Sequence, residues 1–283
     1  MQAMETPSQA PRSPHGRKGW QFWIDRGGTF TDVIGLSPEG VLHVRKVPSV
    51  PTDGVPGDPG VRAARAILTA ANAAGAADAS APAVEAVKVG TTVATNALLT
   101  RSGEPVVLVT TAGFGEGLRI GYQNRPEIFA RDIVLPKRLD ASVIEADERI
   151  DAEGAVLRPL DLPGLRAQLT HARAAGRRAV AVVFMHGWRY PQHERAAADC
   201  ARELGFDEVS VSHELSPLVR YVTRGDTTVL NAYLAPPLRA YVTALQAELR
   251  ALDAGARLTL MQSNGGLAAA ERFHAMSKPI SRG

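Results

Sequence analysis

The sequence predicts an α/β fold with a mixed sheet, an antiparallel meander followed by alternating strands and helices. Three observations predict it. Residues 20–47 hold three short apolar or alternating segments separated by tight turns, the pattern of a meander. From residue 84 onward, short apolar runs alternate with helix-period segments, which calls for parallel strands. Hydrophobic residues make up 45% and charged residues 22% of the 283 residues, ordinary globular values that exclude collagen, long coiled coil and wholesale disorder.

The elements follow in order. Residues 1–19 are polar, rich in Pro, Ser, Gly and Arg, and lack the apolar segment of a secretory signal. They read as a disordered tail of a cytoplasmic protein. Strands are expected at 20–25, 31–36 and 41–47, with a turn at Ser37-Pro38-Glu39-Gly40. Residues 50–60, rich in Pro, Gly and Asp, read as loop, 61–74 as an Ala-rich helix, and 75–82 as an exposed connection. A strand at 84–90, a helix at 92–101 and a strand at 105–110 come next. Residues 113–131 read as a functional loop with a short helix. Helices are expected at 162–175 and 193–204, and strands at 179–185 and 208–212. A long helix over 227–252, bent at Pro236-Pro237, precedes a last strand at 257–262. The division expected is a tail at 1–19, a domain at 20–215 and the start of a second domain at 216–283.

Composition narrows the function. The charge balance is 32 − 29 = +3, a mild excess that argues against a dedicated nucleic-acid binder. No run of about 20 apolar residues exists to span a membrane. The single cysteine, Cys200, allows neither an internal disulfide nor a Cys-rich metal site, and it sits in an Ala-rich helix where it reads as a small buried residue. Walker A, G-x-G-x-x-G and G-x-S-x-G patterns are absent, so P-loop, Rossmann and serine-hydrolase readings lack their signal. His186 and His193 bracket a proline at a spacing wider than a helical metal pair needs, and a structural role is the plainer reading. His213-Glu214 follows a strand and is placed to line a cleft.

Four constellations carry chemistry. Asp25-Arg26-Gly27-Gly28-Thr29-Phe30-Thr31-Asp32 is a tight turn between strands. Adjacent glycines let backbone N–H groups approach an anion, Thr29 and Thr31 add hydroxyls, and Asp25 at a strand end suits a hydrated divalent cation. A plain hairpin turn is the competing reading. Gly90-Thr91-Thr92-Val93-Ala94-Thr95-Asn96 joins a strand to a helix whose N-terminus attracts anions or is merely capped by threonine. Arg119, Gln123 and Arg125 lie in a Gly-containing loop where paired arginines either clamp a small carboxylate or are simply solvated. Ser263-Asn264-Gly265-Gly266 is a polar turn directly after a strand.

Residues 24–33, Ile-Asp-Arg-Gly-Gly-Thr-Phe-Thr-Asp-Val, resemble the opening motif of the hydantoinase A / 5-oxoprolinase family. Residues 90–99, Gly-Thr-Thr-Val-Ala-Thr-Asn-Ala-Leu-Leu, resemble its second motif. Gly113-Phe114, Ile120-Gly121, Arg125-Pro126, His193-Glu194, residues 224–234 and Ser263-Asn264-Gly265-Gly266-Leu267 follow in family order. The resemblance covers residues 20 to about 275, and Arg26 resembles the 5-oxoprolinase branch more than the N-methylhydantoinase or acetone carboxylase branches.

The resemblance implies a ribonuclease-H-like fold of the actin–hexokinase-like superfamily and an ATP- and Mg2+-using enzyme that opens a cyclic amide, 5-oxo-L-proline giving L-glutamate. It implies Asp25 as the catalytic, cation-positioning carboxylate. Nucleotide contacts are implied for Gly27, Gly28, Thr29, Phe30, Thr31, Asp32, Gly90, Thr91, Thr92, Asn96, Ser263, Asn264, Gly265 and Gly266, and substrate contacts for Arg119, Gln123 and Arg125. A hydrolytic hydantoinase-B-like partner is implied, a homo-oligomer is compatible, and nucleic acid and membrane are not expected partners. The family continues into a second phosphate motif beyond the Ser-Asn-Gly-Gly turn. The chain is therefore expected to be an N-terminal piece that alone hydrolyses neither ATP nor 5-oxoproline. An N-methylhydantoinase- or acetone-carboxylase-like subunit is the alternative enzyme, and a non-catalytic binding or remnant module the alternative of another class.

Overall fold

Alternation of apolar side chains sets the first sheet. A computed structural model describes residues 19–50, 54–73, 83–123, 129, 131–132, 135, 137–262 and 265–270. Trp20–Arg26 (β1) turns Trp20, Phe22 and Ile24 inward, and Phe30–Leu36 (β2) turns Thr31 and Val33 the same way, as strand geometry requires of every second residue. The two pair antiparallel, with Ile24 opposite Val33. Leu42–Pro48 (β3) pairs antiparallel with β2 and completes the expected meander. A Cβ on Gly35 would lie 2.7 Å from the Phe22 ring, so the absence of a side chain there is what lets that ring pack.

Pro59–Ala73 (α1) opens on a proline, whose fixed φ suits the first helical turn. Asp58 caps it, its Oδ1 accepting from the N–H of Gly60 at 2.9 Å and of Val61 at 3.3 Å. Val84–Thr91 (β4) and Val93–Leu99 (α2) follow. The chain continues through Val106–Thr111 (β5), Gly117–Ile120 (α3), Asp140–Ala146 (β6), Arg149–Ile150 (β7), Val156–Arg158 (β8) and Leu162–Ala174 (α4). Ala179–Val183 (β9), Gln192–Glu203 (α5), Glu208–Val211 (β10), Ser212–Leu215 (α6), Tyr221–Leu252 (α7), Arg257–Met261 (β11) and Leu267–Ala269 (β12) complete it.

These elements sort into two compact units, residues 1–99 with 238–283, and residues 100–237. This contact-based division differs from the expected boundary at 215/216, which falls inside the second unit. The long helix α7 runs through Pro236 and Pro237, so its first part belongs to the second unit and its last part to the first.

The first unit holds a sheet of order β12-β11-β4-β1-β2-β3. β4 lies parallel to β1, and β11 parallel to β4. An antiparallel meander extended by two parallel strands on the β1 side is the ribonuclease-H-like arrangement. Phe22, Ile24, Val33, Val87, Val89, Leu258 and Leu260 meet Val61, Ile67 and Leu68 of α1 and Val242, Leu245 and Leu249 of α7 in one core.

The second unit holds a separate sheet of order β10-β9-β5-β6, every pair parallel. All six residues of β5 and all five of β9 are buried, as strands covered on both faces must be. Val107, Val109, Val180 and Val182 face Leu165 and Leu169 of α4 and Ala198 and Ala201 of α5. Val106, Leu108, Ala181 and Val183 face Val229, Ala232 and Tyr233 of α7. β6, β7 and β8 lie where no element is expected from sequence, and β8 is exposed throughout, so no apolar period marks it.

The start of α7 at Tyr221, six residues ahead of the expected 227, has a physical cause. Arg224 is fully buried. Its Nη2 donates to the carbonyls of Phe184 at 2.8 Å and Met185 at 2.9 Å, and its Nη1 lies 3.3 Å from Oε1 of the equally buried Glu194. Glu194 also accepts from the N–H of Phe184 and of His213 and from the Ser212 hydroxyl. Burial pulls the Arg224 pKa down, and the Glu194 charge pushes it back up. This network holds the polar Arg-Gly-Asp-Thr stretch helical against its local preference. Replacing Arg224 with Met leaves Glu194 buried without its cation, and the expected loss is about 3–5 kcal/mol of unfolding free energy, read from urea denaturation. A loss below 1 kcal/mol would show that the pair does not hold the helix start.

Candidate functional site

The carboxyl ends of β1 and β4 lie side by side, because the two strands are parallel and Asp25 stands opposite Gly90. The first and second motifs therefore meet at one edge of the first unit's sheet. The turn after β1 closes by a hydrogen bond from the Gly27 N–H to the Phe30 carbonyl at 3.1 Å. Gly28 and Thr29 are exposed, and among the described residues their N–H groups have no acceptor. Asn96 leans over this turn, since a Cβ on Gly28 would lie 3.4 Å from its Nδ2. Gly90 leaves the flank of Asp25 open, because a Cβ there would lie 3.4 Å from Asp25 Oδ1.

The threonines divide their roles. Thr31 is fully buried, and its hydroxyl meets Ser49 Oγ at 2.9 Å. Ser49 in turn donates to the Gly27 carbonyl at 2.8 Å, and its N–H donates to the Thr29 carbonyl at 2.8 Å. Thr31 thus shapes the turn from behind through Ser49. Thr92 donates both its N–H and its hydroxyl to the Arg26 carbonyl, at 3.1 and 3.2 Å. Thr91 caps α2 through its hydroxyl, which accepts from the Val93 N–H at 3.2 Å. Asp32 is tied to Lys46, each carboxylate oxygen 3.0 Å from Nζ, and Lys46 also lies over the half-exposed Phe30 ring.

Arg26 braces the whole edge. Its guanidinium pairs with Asp58 at 2.5 Å and stacks on the Tyr241 ring, 4.9 Å from its centre. The Asp58 N–H is held by both oxygens of Glu248, at 3.0 and 2.7 Å. Burial, with Asp58 adding to it, pushes the Tyr241 hydroxyl up to about 12. Ser49, Asp58, Tyr241 and Glu248 carry no motif of their own, and sequence reading does not find them.

Gly265 and Gly266 close the turn between β11 and β12, where Gln262 donates its N–H to the Gly266 carbonyl at 2.8 Å. Gly265 has φ +82°, a conformation that favours glycine. β11 is parallel to β4, so this turn opens on the same sheet edge as Asp25 and Gly90. Ser263, Asn264 and Arg125 lie outside the described residues. Arg119 and Gln123 belong to the second unit. Arg119 is exposed and paired with Glu116 at 3.1 Å, and Gln123 is exposed with φ +58°.

Cys200 is buried, and desolvation pushes its thiol up despite Arg166, which suits a packed residue better than a nucleophile. Among the described residues no group of three or more His, Cys, Asp or Glu is placed to hold a metal, and no helix is long and apolar enough to cross a membrane.

Comparison with known proteins follows the same two-part order as the motifs. The hydantoinase/oxoprolinase N-terminal region matches residues 21–205, and the hydantoinase/oxoprolinase family matches residues 224–281. 5-Oxoprolinase 1 of Arabidopsis thaliana is 37% identical over 277 residues, covering 89% of this chain and 22% of its own length. 5-Oxoprolinase of Dictyostelium discoideum is 32% identical over 292 residues, covering 94% of this chain and 23% of its own. The crystal structure of the ATP-dependent caprolactamase from Pseudomonas jessenii matches with a TM-score of 0.73 at 33% identity, covering 88% of this chain and 36% of that one. The chain thus spans about a fifth of the length of these 5-oxoprolinases.

Because Tyr241 titrates higher in the folded state than in the unfolded chain, where a tyrosine titrates near 10, the folded state holds its proton longer. Its contribution to stability is complete below pH ~10 and is lost as pH rises through about 12. Tyr241→Phe is expected to flatten the alkaline fall of the melting temperature between those limits. An unchanged alkaline slope would contradict the assignment.

The ordered match of both family models, carried on a ribonuclease-H-like sheet with the two motifs at one edge, shows that this chain belongs to the hydantoinase/oxoprolinase family.

Proposed function

We propose that this chain is the N-terminal part of an ATP-dependent 5-oxoprolinase, converting 5-oxo-L-proline, ATP and water to L-glutamate, ADP and phosphate. The observation that carries the reading is the meeting of the Gly27–Thr29 turn and Gly90–Asn96 at one edge of the first sheet. Its unengaged N–H groups at Gly28 and Thr29 suit phosphate oxygens. The identity to 5-oxoprolinases supports the choice of substrate.

Asp25 fits a magnesium ion. The carboxylate is exposed at a strand end, and among the described residues no cation or hydrogen-bond donor holds it. One carboxylate without a surrounding cage suits an ion that keeps most of its waters and takes its remaining oxygens from phosphate. An amide carbonyl is a poor electrophile and its ring nitrogen a poor leaving group. When bound, Mg2+ and ATP supply charge neutralisation and the phosphoryl group that activates the carbonyl oxygen. Gly28 and Thr29 orient the phosphates through backbone N–H groups, Asp25 fixes the cation, and Asn96 borders the turn. Positioning and charge neutralisation of this kind dominate phosphoryl transfer.

Arg119, Gln123 and Arg125 are proposed to contribute to the substrate side, and a hydantoinase-B-like domain or subunit to complete hydrolysis. A relative named caprolactamase subunit alpha, 32% identical over 260 residues, supports a partner subunit and a wider range of lactam substrates. The test is nucleotide binding by the 283-residue chain with and without Mg2+. Gly28→Val should weaken binding at least tenfold by covering the turn, and Asp25→Asn should remove the Mg2+ dependence. Wild-type affinity and Mg2+ dependence in both variants would overturn this reading.

A further inference from the structure

Pairing register lines up four positions across the first sheet. Gly90 of β4 stands opposite Asp25 of β1, Asp25 opposite Asp32 of β2, and Asp32 opposite Lys46 of β3. Residues directly opposite each other share a face. Their chain neighbours Val89, Ile24, Val33 and Val47 pack in or against the core, so this row lies on the face turned away from it. Two carboxylates, Asp25 and Asp32, therefore stand side by side, an arrangement that repels unless something neutralises it.

Lys46 neutralises one of the two. Its Nζ lies 3.0 Å from each oxygen of Asp32 and 5.6 Å from the centre of the Phe30 ring. Asp25 has no such partner among the described residues. The Lys46 and Asp32 side chains are 59% and 49% exposed, and a pair so exposed contributes little to stability. What it changes is the count of free carboxylates beside Gly90, and affinity for a divalent cation follows that count. A single carboxylate holds a hydrated cation weakly until phosphate oxygens join it. Two adjacent carboxylates would hold one unaided.

We propose that Lys46 is a positioning residue for the cation site: by holding Asp32 it leaves Asp25 as the one free carboxylate, so the site takes its divalent cation together with the nucleotide and not ahead of it. This assignment rests on the reading of Asp25 as the cation-positioning carboxylate and adds an order of binding to it. Lys46 acts through Asp32 and needs no contact with nucleotide or cation.

The experiment titrates Mn2+ into the 283-residue chain at low ionic strength, with and without ADP, and reads bound metal from the loss of the free-ion paramagnetic resonance signal. Wild type is expected to bind Mn2+ weakly alone and more tightly with ADP. Lys46→Met should bind Mn2+ alone about threefold tighter or more, the size expected when one nearby charge is removed in a largely solvated setting, and should depend less on ADP. Lys46→Arg should restore wild-type behaviour, and circular dichroism checks that each variant is folded. The gain should vanish when Asp25→Asn is added to Lys46→Met, and should be smaller when Asp32→Asn is present. Unchanged Mn2+ affinity in Lys46→Met, a gain shared by Lys46→Arg, a gain that survives Asp25→Asn, or an equal gain beside Asp32→Asn would each overturn the proposal. Wild-type binding of Mn2+ with ADP through Asp25, beside an inert Lys46→Met, would end the order of binding and leave the nucleotide site standing. Failure of ADP to bring Mn2+ to the wild-type chain would overturn both.

Discussion

The ion pair between Arg26 and Asp58 ties together nearly everything at the candidate site. Arg26 is the last residue of β1, and its backbone and side chain pull in different directions. Its carbonyl receives two hydrogen bonds from Thr92, which fixes the start of α2. Its guanidinium reaches Asp58, which caps α1, and the Tyr241 ring on α7. Asp58 is 95% buried on its side chain while Arg26 keeps about a quarter of its own exposed, so removing the arginine would strand the acid rather than the base. A buried carboxylate without its cation is the more expensive half of such a pair. The geometry of the Gly27-Gly28 turn thus depends on a contact whose two partners are 32 positions apart.

The two units use the same principle in opposite ways. Each gathers polar residues at the carboxyl ends of parallel strands, where backbone groups run out of ladder partners. In the first unit the edge stays open, and the N–H groups of Gly28 and Thr29 and the Asp25 carboxylate remain available. In the second unit the edge is largely closed from within. Glu194 accepts from Phe184, Ser212 and His213 and meets Arg224, and Glu148 takes Thr111 and His193. His193 and Glu194 are consecutive on the first turn of α5, so one helix start anchors both buried clusters.

The sequence made the meander, the parallel strands and the glycine turns legible because each follows from local chemistry. Alternation marks Phe22 and Ile24 as one face, and paired glycines mark a backbone that something approaches closely. Partners supplied from a distance were not legible. Ser49 organises the Gly27 turn from 22 positions away, and Glu248 holds Asp58 from 190 away, with no motif to announce either. β6, β7 and β8 were missed because β6 is half polar and β8 wholly exposed. The helix start at Tyr221 was missed because a buried arginine reversed the local preference of its neighbours. The motif threonines were read as ligand donors, but the Thr31 and Thr92 hydroxyls are engaged inside the fold. The glycines keep their backbone open, and the threonines keep it in place.

That division sets residue 26 apart from the glycines that follow it. A turn that presents its N–H groups favours glycine whatever approaches it. The Arg26 side chain reaches back from the turn to Asp58 at the start of α1 and Tyr241 of α7. An arginine there requires an acid at 58 to receive it and an aromatic ring at 241 to lie against, and Asp58 in turn requires an acceptor for its own N–H, which Glu248 supplies. Changing residue 26 alone would leave Asp58 without its Arg26 counter-charge, so the four positions are energetically coupled. Residue 26 is therefore where the brace of this edge is set, by the packing of α1 and α7 rather than by the turn itself.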